Sequence, residues 1–223
     1  MVDLSPHHEV EIGPHRLKGF LGIPPTPVGL VIFAHGSGSG RFSPRNNHVA
    51  LALRRAGLAT LLLDLLTPKE ERDRRNVFDM DLLASRLTEA AEWAAGQADL
   101  QSLPIGYFGA STGGGAALIA AAQDEARIKA VVSRGGRPDM AGPLLPLVDA
   151  PTLLIVGSLD GPVIELNVAA FERLTCEKEL VIVPGAGHLF EEPGTLDQVV
   201  RHATGWFVDH FKDRGGDVVD VSN

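Results

Sequence analysis

The chain has 223 residues, of which 44% are hydrophobic, and its 20 basic and 28 acidic side chains give a net charge of −8. This length predicts one large domain, residues 1–223, and the apolar fraction excludes a disordered or collagen-like chain. The net negative charge argues against nucleic acid or an anionic membrane as the main partner, and a single cysteine excludes both a disulfide framework and zinc sites built on paired cysteines.

Proline and glycine divide the chain into short apolar runs and helix-like stretches. Residues 8–23, on either side of Gly13-Pro14, are predicted to form an antiparallel N-terminal hairpin. Apolar runs of strand length follow at residues 29–34, 58–64, 104–108, 130–133, 152–157 and 180–184, and helix-like stretches at residues 47–56, 79–97, 112–123, 165–174 and 195–211. The runs are apolar throughout rather than alternating, which is typical of strands buried on both faces of a parallel sheet.

The alternation of strand and helix from residue 29 to residue 211 predicts an α/β fold with a doubly wound, mostly parallel sheet. Residues 212–223 are predicted to form a polar C-terminal tail. The apolar stretches are far shorter than the ~20 residues of a membrane span, and the N-terminal residues lack the apolar core of a signal peptide. We therefore expect a cytoplasmic protein with neither nucleic acid nor membrane as a partner.

A glycine-flanked serine follows the run at 104–108. The chain there reads Gly109-Ala110-Ser111-Thr112-Gly113 and a helix-like stretch starts at once, so the pattern is G-x-S-x-G at a strand-to-helix turn. Such a turn lifts the serine hydroxyl clear of the sheet, and side chains at the flanking glycine positions would collide with neighbouring backbone. The pattern predicts Ser111 as a nucleophile; the alternative is a glycine-rich turn with a capping serine.

Residues that follow different strands meet at the carboxyl edge of an open α/β sheet, where ligands bind. A serine nucleophile needs a histidine base, which a carboxylate orients. His188 follows the run at 180–184 and is the predicted base, with a structural loop histidine as the alternative. Asp160 follows the run at 152–157 and is the predicted acid; the alternative is an ordinary turn aspartate beside glycine and proline.

Acyl transfer also needs hydrogen-bond donors for the oxyanion that develops on the substrate. The backbone N–H of Thr112, at the start of a helix, is one predicted donor. The backbone N–H of Ser37, in the turn HGSGSG after the run at 29–34, is the other. The competing interpretation of that turn is a phosphate-binding glycine loop, but Arg41 stands where the dinucleotide pattern has its third glycine, and no P-loop lysine is present.

Four arginines lie in the predicted loops beside the nucleophile: Arg41, Arg45, Arg134 and Arg137. A guanidinium binds a carboxylate or phosphate through two hydrogen bonds. Arg41 and Arg134 are therefore hypothesised to contact an anionic substrate. The alternative is that these arginines pair with acidic residues of the same edge, such as Glu191.

Taken in order, the segments HGSGSG (35–40), GASTGGG (109–115), SLDGPV (158–163) and GAGHLF (185–190) resemble those of the α/β-hydrolase superfamily. Within it, the chain resembles a small member of the dienelactone-hydrolase-like group, also in SGRFSPRN (39–46) and SRGGRPDMAGP (133–143). The resemblance implies Ser111 as nucleophile, Asp160 as acid, His188 as base, and an acyl-enzyme that water hydrolyses. Dienelactone hydrolases proper have cysteine in place of this serine, so dienelactone itself is not the expected substrate.

Cap domains in this superfamily usually lie between the strands at 130–133 and 152–157, but here only residues 134–150 connect them. We therefore expect a capless serine hydrolase, without metal or other cofactor, that cleaves carboxylic esters or lactones of small acyl groups. The same groups would serve a thioesterase or a small-peptide hydrolase. From another class, the alternative is a non-catalytic ligand-binding protein on a hydrolase scaffold.

Overall fold

The computed structural model describes residues 7–123 and 127–212, so residues 213–223 of the predicted tail lie outside the described residues. The strands are β1 (His8–Ile12), β2 (Leu17–Gly22), β3 (Leu30–Ala34), β4 (Ala59–Leu63), β5 (Ile105–Ala110), β6 (Ile128–Arg134), β7 (Thr152–Gly157) and β8 (Lys178–Val183). The α-helices are α1 (Pro44–Arg55), α2 (Met80–Ala95), α3 (Thr112–Gln123), α4 (Gly161–Arg173) and α5 (Thr195–Phe211). Each predicted strand and helix is present. Among the described helices, none combines the length and the hydropathy that a membrane span needs.

The eight strands form one sheet in the order β1-β2-β4-β3-β5-β6-β7-β8. The strands from β3 to β8 run parallel, and the N-terminal hairpin adds two antiparallel strands beside β4. β3 and β4 are buried at every position, as their unbroken apolar composition predicts. β8 lies at the edge of the sheet, and Val183 is the one buried residue of its six. The predicted α/β fold with a doubly wound, mostly parallel sheet is confirmed.

Helices cover both faces of the sheet. α2, α3 and α4 pack on one face, over a core that includes Leu61 and Tyr107. α1 and α5 pack on the other face, over a core that includes Phe33, Phe108 and Phe207. Each of these large buried side chains contributes about 1.5–3 kcal/mol by leaving water. Because both faces are covered, the carboxyl edge, where the loops gather, is the part of the sheet that positions a site.

Three element boundaries at this edge differ from the predicted ones in a way that affects the candidate site residues. β5 continues through Ala110, so Ser111 is the first residue after the strand. β6 continues through Arg134, which the sequence analysis placed in a loop, because this residue pairs with both β5 and β7. α4 begins at Gly161, directly after Asp160, since Pro162 suits the first turn of a helix.

Candidate active site

Ser111 lies at the tip of a tight turn between β5 and α3. Its backbone has a φ of +52°, in the left-handed region that residues other than glycine rarely adopt. The turn is tight because α3 begins at the very next residue, Thr112. A left-handed backbone costs an L-residue about 1–2 kcal/mol, and such local strain is found mostly at functional sites. This backbone geometry is that expected of a nucleophile elbow, and we use the name elbow for residues 109–113.

Glycines make room for the elbow. A Cβ atom at Gly109 would lie 2.5 Å from the carbonyl oxygen of Gly113, and a Cβ atom at Gly113 would lie 2.2 Å from the carbonyl oxygen of Ala34. Both distances are far below van der Waals contact, and backbone atoms cannot move aside as the end of a side chain can. The predicted steric reason for glycine on both sides of Ser111 is confirmed.

The structure brings Asp160 and His188 together. Nδ1 of His188 lies 2.6 Å from Oδ2 of Asp160. The aspartate side chain is largely buried, with 12% of its surface exposed, whereas 37% of the histidine side chain is exposed. Because an ionised carboxylate only accepts hydrogen bonds, Nδ1 carries the proton of the neutral ring, and Nε2 is then the nitrogen that can act as a base.

Hydrogen bonds hold the two loops that carry this pair. The Leu159 amide, in the loop after β7, donates to the carbonyl oxygen of Ala186, in the loop after β8, over 2.9 Å. The Glu192 carboxylate accepts the amide hydrogen of Gly187, the residue before His188, over 3.1 Å. Glu192 thus holds the backbone next to His188, and no sequence pattern distinguishes it from other loop acids.

Ser111 and His188 approach the segment at 134–136 from two sides. The Ser111 amide donates to the carbonyl oxygen of Arg134 over 3.3 Å. A Cβ atom at Gly135 would lie 3.1 Å from the carbonyl oxygen of His188 and 3.6 Å from its Nδ1. Among the hydrogen bonds of residues 7–123 and 127–212, none joins the Ser111 hydroxyl to His188; such bonds commonly tighten only in the substrate complex. The serine, histidine and aspartate thus share one edge, with the histidine–aspartate bond formed.

The two predicted oxyanion donors also lie at the elbow, one of them with an unexpected partner. A Cβ atom at Gly36 would lie 3.0 Å from Cβ of Ser111, so residues 35–40, which we call the oxyanion loop after their predicted role, contact Ser111. The Ser37 amide donates to the hydroxyl oxygen of Thr112 over 3.0 Å. The Thr112 amide is the first of α3, where helix geometry supplies no carbonyl partner.

His35 joins the oxyanion loop to the loop after β4. Its Nδ1 donates to the carbonyl oxygen of Gly36 over 2.9 Å, and its Nε2 accepts the amide hydrogen of Leu65 over 3.0 Å. A carbonyl only accepts and an amide N–H only donates, so the ring is the neutral Nδ1–H tautomer. Burial lowers the pKa of His35, although the Gly36 carbonyl and the carboxylates of Asp64 and Glu71 oppose the shift. With both ring nitrogens occupied, His35 is a structural residue and not the base.

We expect His35 to make the protein less stable in mild acid. Because its pKa is lowered from 6.5 in the folded state, the unfolded chain takes up the proton first as the pH falls. The contribution to the free energy of unfolding is therefore complete above about pH 6.5 and declines below it, and His35→Gln should flatten this decline. Urea denaturation between about pH 5 and pH 7.5 measures the slope, with exposed His202→Gln as the control. An unchanged slope in His35→Gln would contradict this role.

Three of the four arginines at this edge pair with carboxylates. The pairs are Arg41 with Asp64, Arg45 with Glu191, and Arg137 with Asp139. Arg41 also stacks on Phe42, with its guanidinium carbon 4.4 Å from the ring centre. For these three arginines the structure shows the alternative interpretation, pairing with acids of the same edge. Arg41 therefore supports the loop after β3, and its contact with a substrate stays a prediction.

Arg134 differs because its guanidinium is buried without a carboxylate. The residue is 6% exposed, donates a long hydrogen bond of 3.5 Å to Oδ1 of Asn46, and lies 5.7 Å from the ring centre of Phe190. Within the described residues it forms no ion pair. Burial, with a smaller contribution from Arg45, lowers the pKa of Arg134 to about 10, so the side chain is still charged at neutral pH. A buried cation without a counter-ion costs free energy that an anion bound beside it would offset.

Among the hollows formed by the described residues, two that are large enough for small molecules bear on the location of the site. One, of about 540 Å³, opens beside the oxyanion loop and is lined by polar side chains that include Ser39, Ser43 and Glu71. A larger one, of about 1170 Å³, lies at the opposite edge of the sheet against α5. None of the predicted site residues lines it, so we assign the site to the carboxyl edge, beside the oxyanion loop. In the part of the chain that the structure describes, no three His, Cys, Asp or Glu side chains are placed to hold a metal ion.

Two curated proteins of Mycobacterium tuberculosis, from strains CDC 1551 and H37Rv, are each 59% identical to this chain over 203 residues. The match covers 91% of this chain and 46% of each relative, so the chain spans about half the length of the curated relatives it matches. Both relatives carry the provisional name phosphoribosyl transferase. No protein-family model matches the chain.

Solved structures also resemble this chain. The crystal structure of dienelactone hydrolase from Anabaena variabilis ATCC 29413 is 56% identical, with a TM-score of 0.88 over 92% of this chain and 96% of that one. A lidless α/β serine hydrolase of Xanthomonas campestris is 21% identical, with a TM-score of 0.74 over 92% of this chain and 95% of that one. At that lower identity the likeness concerns the fold alone.

Proposed function

This chain belongs to the dienelactone-hydrolase-like group of α/β hydrolases, and from this membership we propose that it is a serine hydrolase that cleaves carboxylic esters or lactones of small acyl groups. The observation that carries the proposal is the left-handed Ser111 at the elbow, on the same edge as the hydrogen-bonded His188 and Asp160. A serine hydroxyl, a base and an acid that orients the base are the parts that nucleophilic acyl transfer needs.

In the proposed reaction, Nε2 of His188 takes the proton of the Ser111 hydroxyl as the serine oxygen attacks the substrate carbonyl carbon. The carbonyl oxygen becomes an oxyanion, which hydrogen-bond donors at the elbow stabilise. Asp160 holds the histidine ring and stabilises the imidazolium. When the tetrahedral intermediate collapses, the leaving oxygen takes the proton from His188. Water then attacks the acyl-enzyme by the same steps and releases the acid.

The connection between β6 and β7 supports a preference for small substrates. Residues 135–151 are all described, and they form short 3-10 turns over Pro138–Leu147 rather than an inserted cap domain. An open site offers a long acyl chain little apolar surface and excludes water poorly. Short acyl esters and lactones are therefore the proposed substrates, and long-chain lipids are not.

Thioesters and small peptides would use the same residues, since these reactions share the nucleophile, the base and the oxyanion. The name phosphoribosyl transferase belongs to relatives of which this chain covers 46%. We do not extend that activity to this chain, because more than half of each relative's length lies outside the match.

Activity on a panel of p-nitrophenyl esters, lactones, thioesters and small peptides tests the proposed function. We expect the fastest turnover with short acyl esters or lactones, and labelling of the folded protein by a fluorophosphonate, a reagent for activated serines. If the folded wild-type protein neither turned over any panel member nor took up the label, a ligand-binding role on a hydrolase scaffold would be favoured instead.

We further propose that Arg134 binds an anionic group of the substrate. Replacing it by glutamine should lower the ratio of the rates on p-nitrophenyl hemisuccinate and p-nitrophenyl butyrate by about tenfold, since hydrogen bonds to charged groups contribute about 1.5–3 kcal/mol. A ratio measured within one variant cancels any loss of folded protein. Arg134→Lys, which keeps the charge, should retain part of the preference. An unchanged ratio in Arg134→Gln would leave Arg134 as a structural residue against Asn46 and Phe190.

A further inference from the structure

The side chain of Thr112 lies where an oxyanion donor is needed. Thr112 follows the nucleophile directly, is the first residue of α3, and is 5% exposed. Its hydroxyl oxygen accepts the amide hydrogen of Ser37 over 3.0 Å. An amide nitrogen has a single hydrogen, so Ser37 cannot give a full second hydrogen bond to a substrate while it makes this one. The amide predicted to face the substrate thus faces a threonine hydroxyl instead.

The hydroxyl hydrogen of Thr112 is available for a further bond. A hydroxyl can accept two hydrogen bonds and donate one. Among the hydrogen bonds of the described residues, Thr112 accepts the one from Ser37 and donates none through its hydroxyl. A threonine inside a helix usually donates to the carbonyl four residues earlier. Here that residue is Phe108, which lies in β5, so the usual acceptor is not within the helix.

Thr112 and Ser111 share neighbours in the oxyanion loop. Gly36 lies between the nucleophile and Ser37: a Cβ atom built on it would be 3.7 Å from Oγ of Ser111. Thr112, Gly36 and Ser37 also line a small hollow, of about 10 Å³, whose other side is formed mainly by Leu65, Leu66, Val77 and Leu83; neither Ser111 nor His188 lines it. The Thr112 side chain is thus not close-packed on this side.

We propose that the Thr112 hydroxyl donates a hydrogen bond directly to the oxyanion, and that the Ser37 amide acts through Thr112 rather than on the substrate. The inference rests on the proposed function of Ser111 as nucleophile. When the Ser111 oxygen bonds to the carbonyl carbon, the electron pair of the C=O π bond moves to the carbonyl oxygen. That oxygen accepts hydrogen bonds from the amide and the hydroxyl of Thr112. The Ser37 N–H polarises the hydroxyl, because hydrogen bonds in a chain strengthen one another.

A series of variants at position 112 tests the proposal. Thr112→Val keeps the shape but removes the hydroxyl, Thr112→Ser keeps the hydroxyl, and Thr112→Ala removes it with less volume. We expect Thr112→Val and Thr112→Ala each to lower kcat by about 10²-fold, the usual loss for one oxyanion donor. KM should change little, since the donor acts mainly on the transition state. Thr112→Ser should stay within about threefold of wild type, because it retains the donor.

Binding of a boronic acid separates catalysis from packing. A boronic acid forms a tetrahedral adduct with an active serine, so its affinity should fall in step with kcat across the series, whereas the affinity for the product acid should not. Thermal unfolding reports whether each variant is folded. Rates in Thr112→Val at or above wild type would overturn the proposal, because the released Ser37 amide would then be the donor. Equal losses in Thr112→Ser and Thr112→Val would overturn it as well, since packing alone would account for them.

Failure of this inference is distinguishable from failure of the proposed function. If the wild-type protein hydrolyses esters and takes up the fluorophosphonate but the position-112 series shows no dependence on the hydroxyl, only the role of Thr112 is wrong. If the folded wild-type protein neither hydrolyses nor is labelled, the proposed nucleophile itself is wrong.

Discussion

Ester hydrolysis is expected to fall by about 10⁴-fold or more in Ser111→Ala, with complete loss of fluorophosphonate labelling. Removing the nucleophile ends the acyl-enzyme route and leaves only what binding and the oxyanion donors contribute to direct attack by water. The fold should survive, because alanine is smaller than serine and the Ser111 hydroxyl has no hydrogen-bond partner among the described residues. Initial rates on p-nitrophenyl acetate, with circular dichroism of each variant, measure the effect.

Cys176→Ala is the matched control for this prediction. The thiol is half-buried, and burial raises its pKa, so little thiolate is present at neutral pH. Rates and labelling should therefore be unchanged in Cys176→Ala. Labelling that persisted in Ser111→Ala, or disappeared in Cys176→Ala, would assign the nucleophile elsewhere.

Asp160→Asn is expected to lower kcat by about 10³–10⁴-fold while stability changes little. The carboxylate accepts the Nδ1 proton of His188 over 2.6 Å, and so fixes the tautomer that leaves Nε2 able to take a proton. Asparagine can present its NH₂ group to the ring, stabilise the other tautomer, and carry no charge to offset the imidazolium. Asp160 precedes α4 as its N-cap residue but makes no capping hydrogen bond with its side chain, so the replacement should not weaken the helix start.

Asp139→Asn is the control for the loss of a carboxylate at the same edge. Asp139 pairs with Arg137 through two hydrogen bonds of 2.8 Å and contacts neither Ser111 nor His188 through any described hydrogen bond. Its replacement should leave kcat within about threefold of wild type, in line with the modest worth of a partly exposed ion pair. A loss of less than tenfold in Asp160→Asn would indicate that another carboxylate orients the histidine.

Much of the fold could be predicted because burial leaves a direct mark on composition. Strands buried on both faces must be apolar throughout, so β3, β4 and β7 stood out as unbroken runs. Helix starts were less accurate: α1 begins at Pro44, three residues before the predicted start. The signal for it was present, since Ser43 caps the helix by accepting the Asn46 amide and a proline follows it.

The approach of Asp160 to His188 could also be anticipated, because β7 and β8 follow each other in the chain and pair in the sheet. Contacts made by side chains across distant segments could not. Ser37 and Thr112 are 75 residues apart, and no local sequence pattern predicts that the amide of one donates to the hydroxyl of the other. The same holds for Arg41, whose partner Asp64 is set by the pairing of neighbouring loops rather than by sequence spacing.

The left-handed backbone at Ser111 makes the proposed activity costly to stability. A glycine there would adopt the same φ without the penalty of about 1–2 kcal/mol that a side chain incurs, out of a total that for most domains is only about 5–15 kcal/mol. Selection for thermal stability alone would therefore favour glycine over serine at position 111. A thermostable descendant that still turns over substrate must find its extra stability elsewhere in the fold.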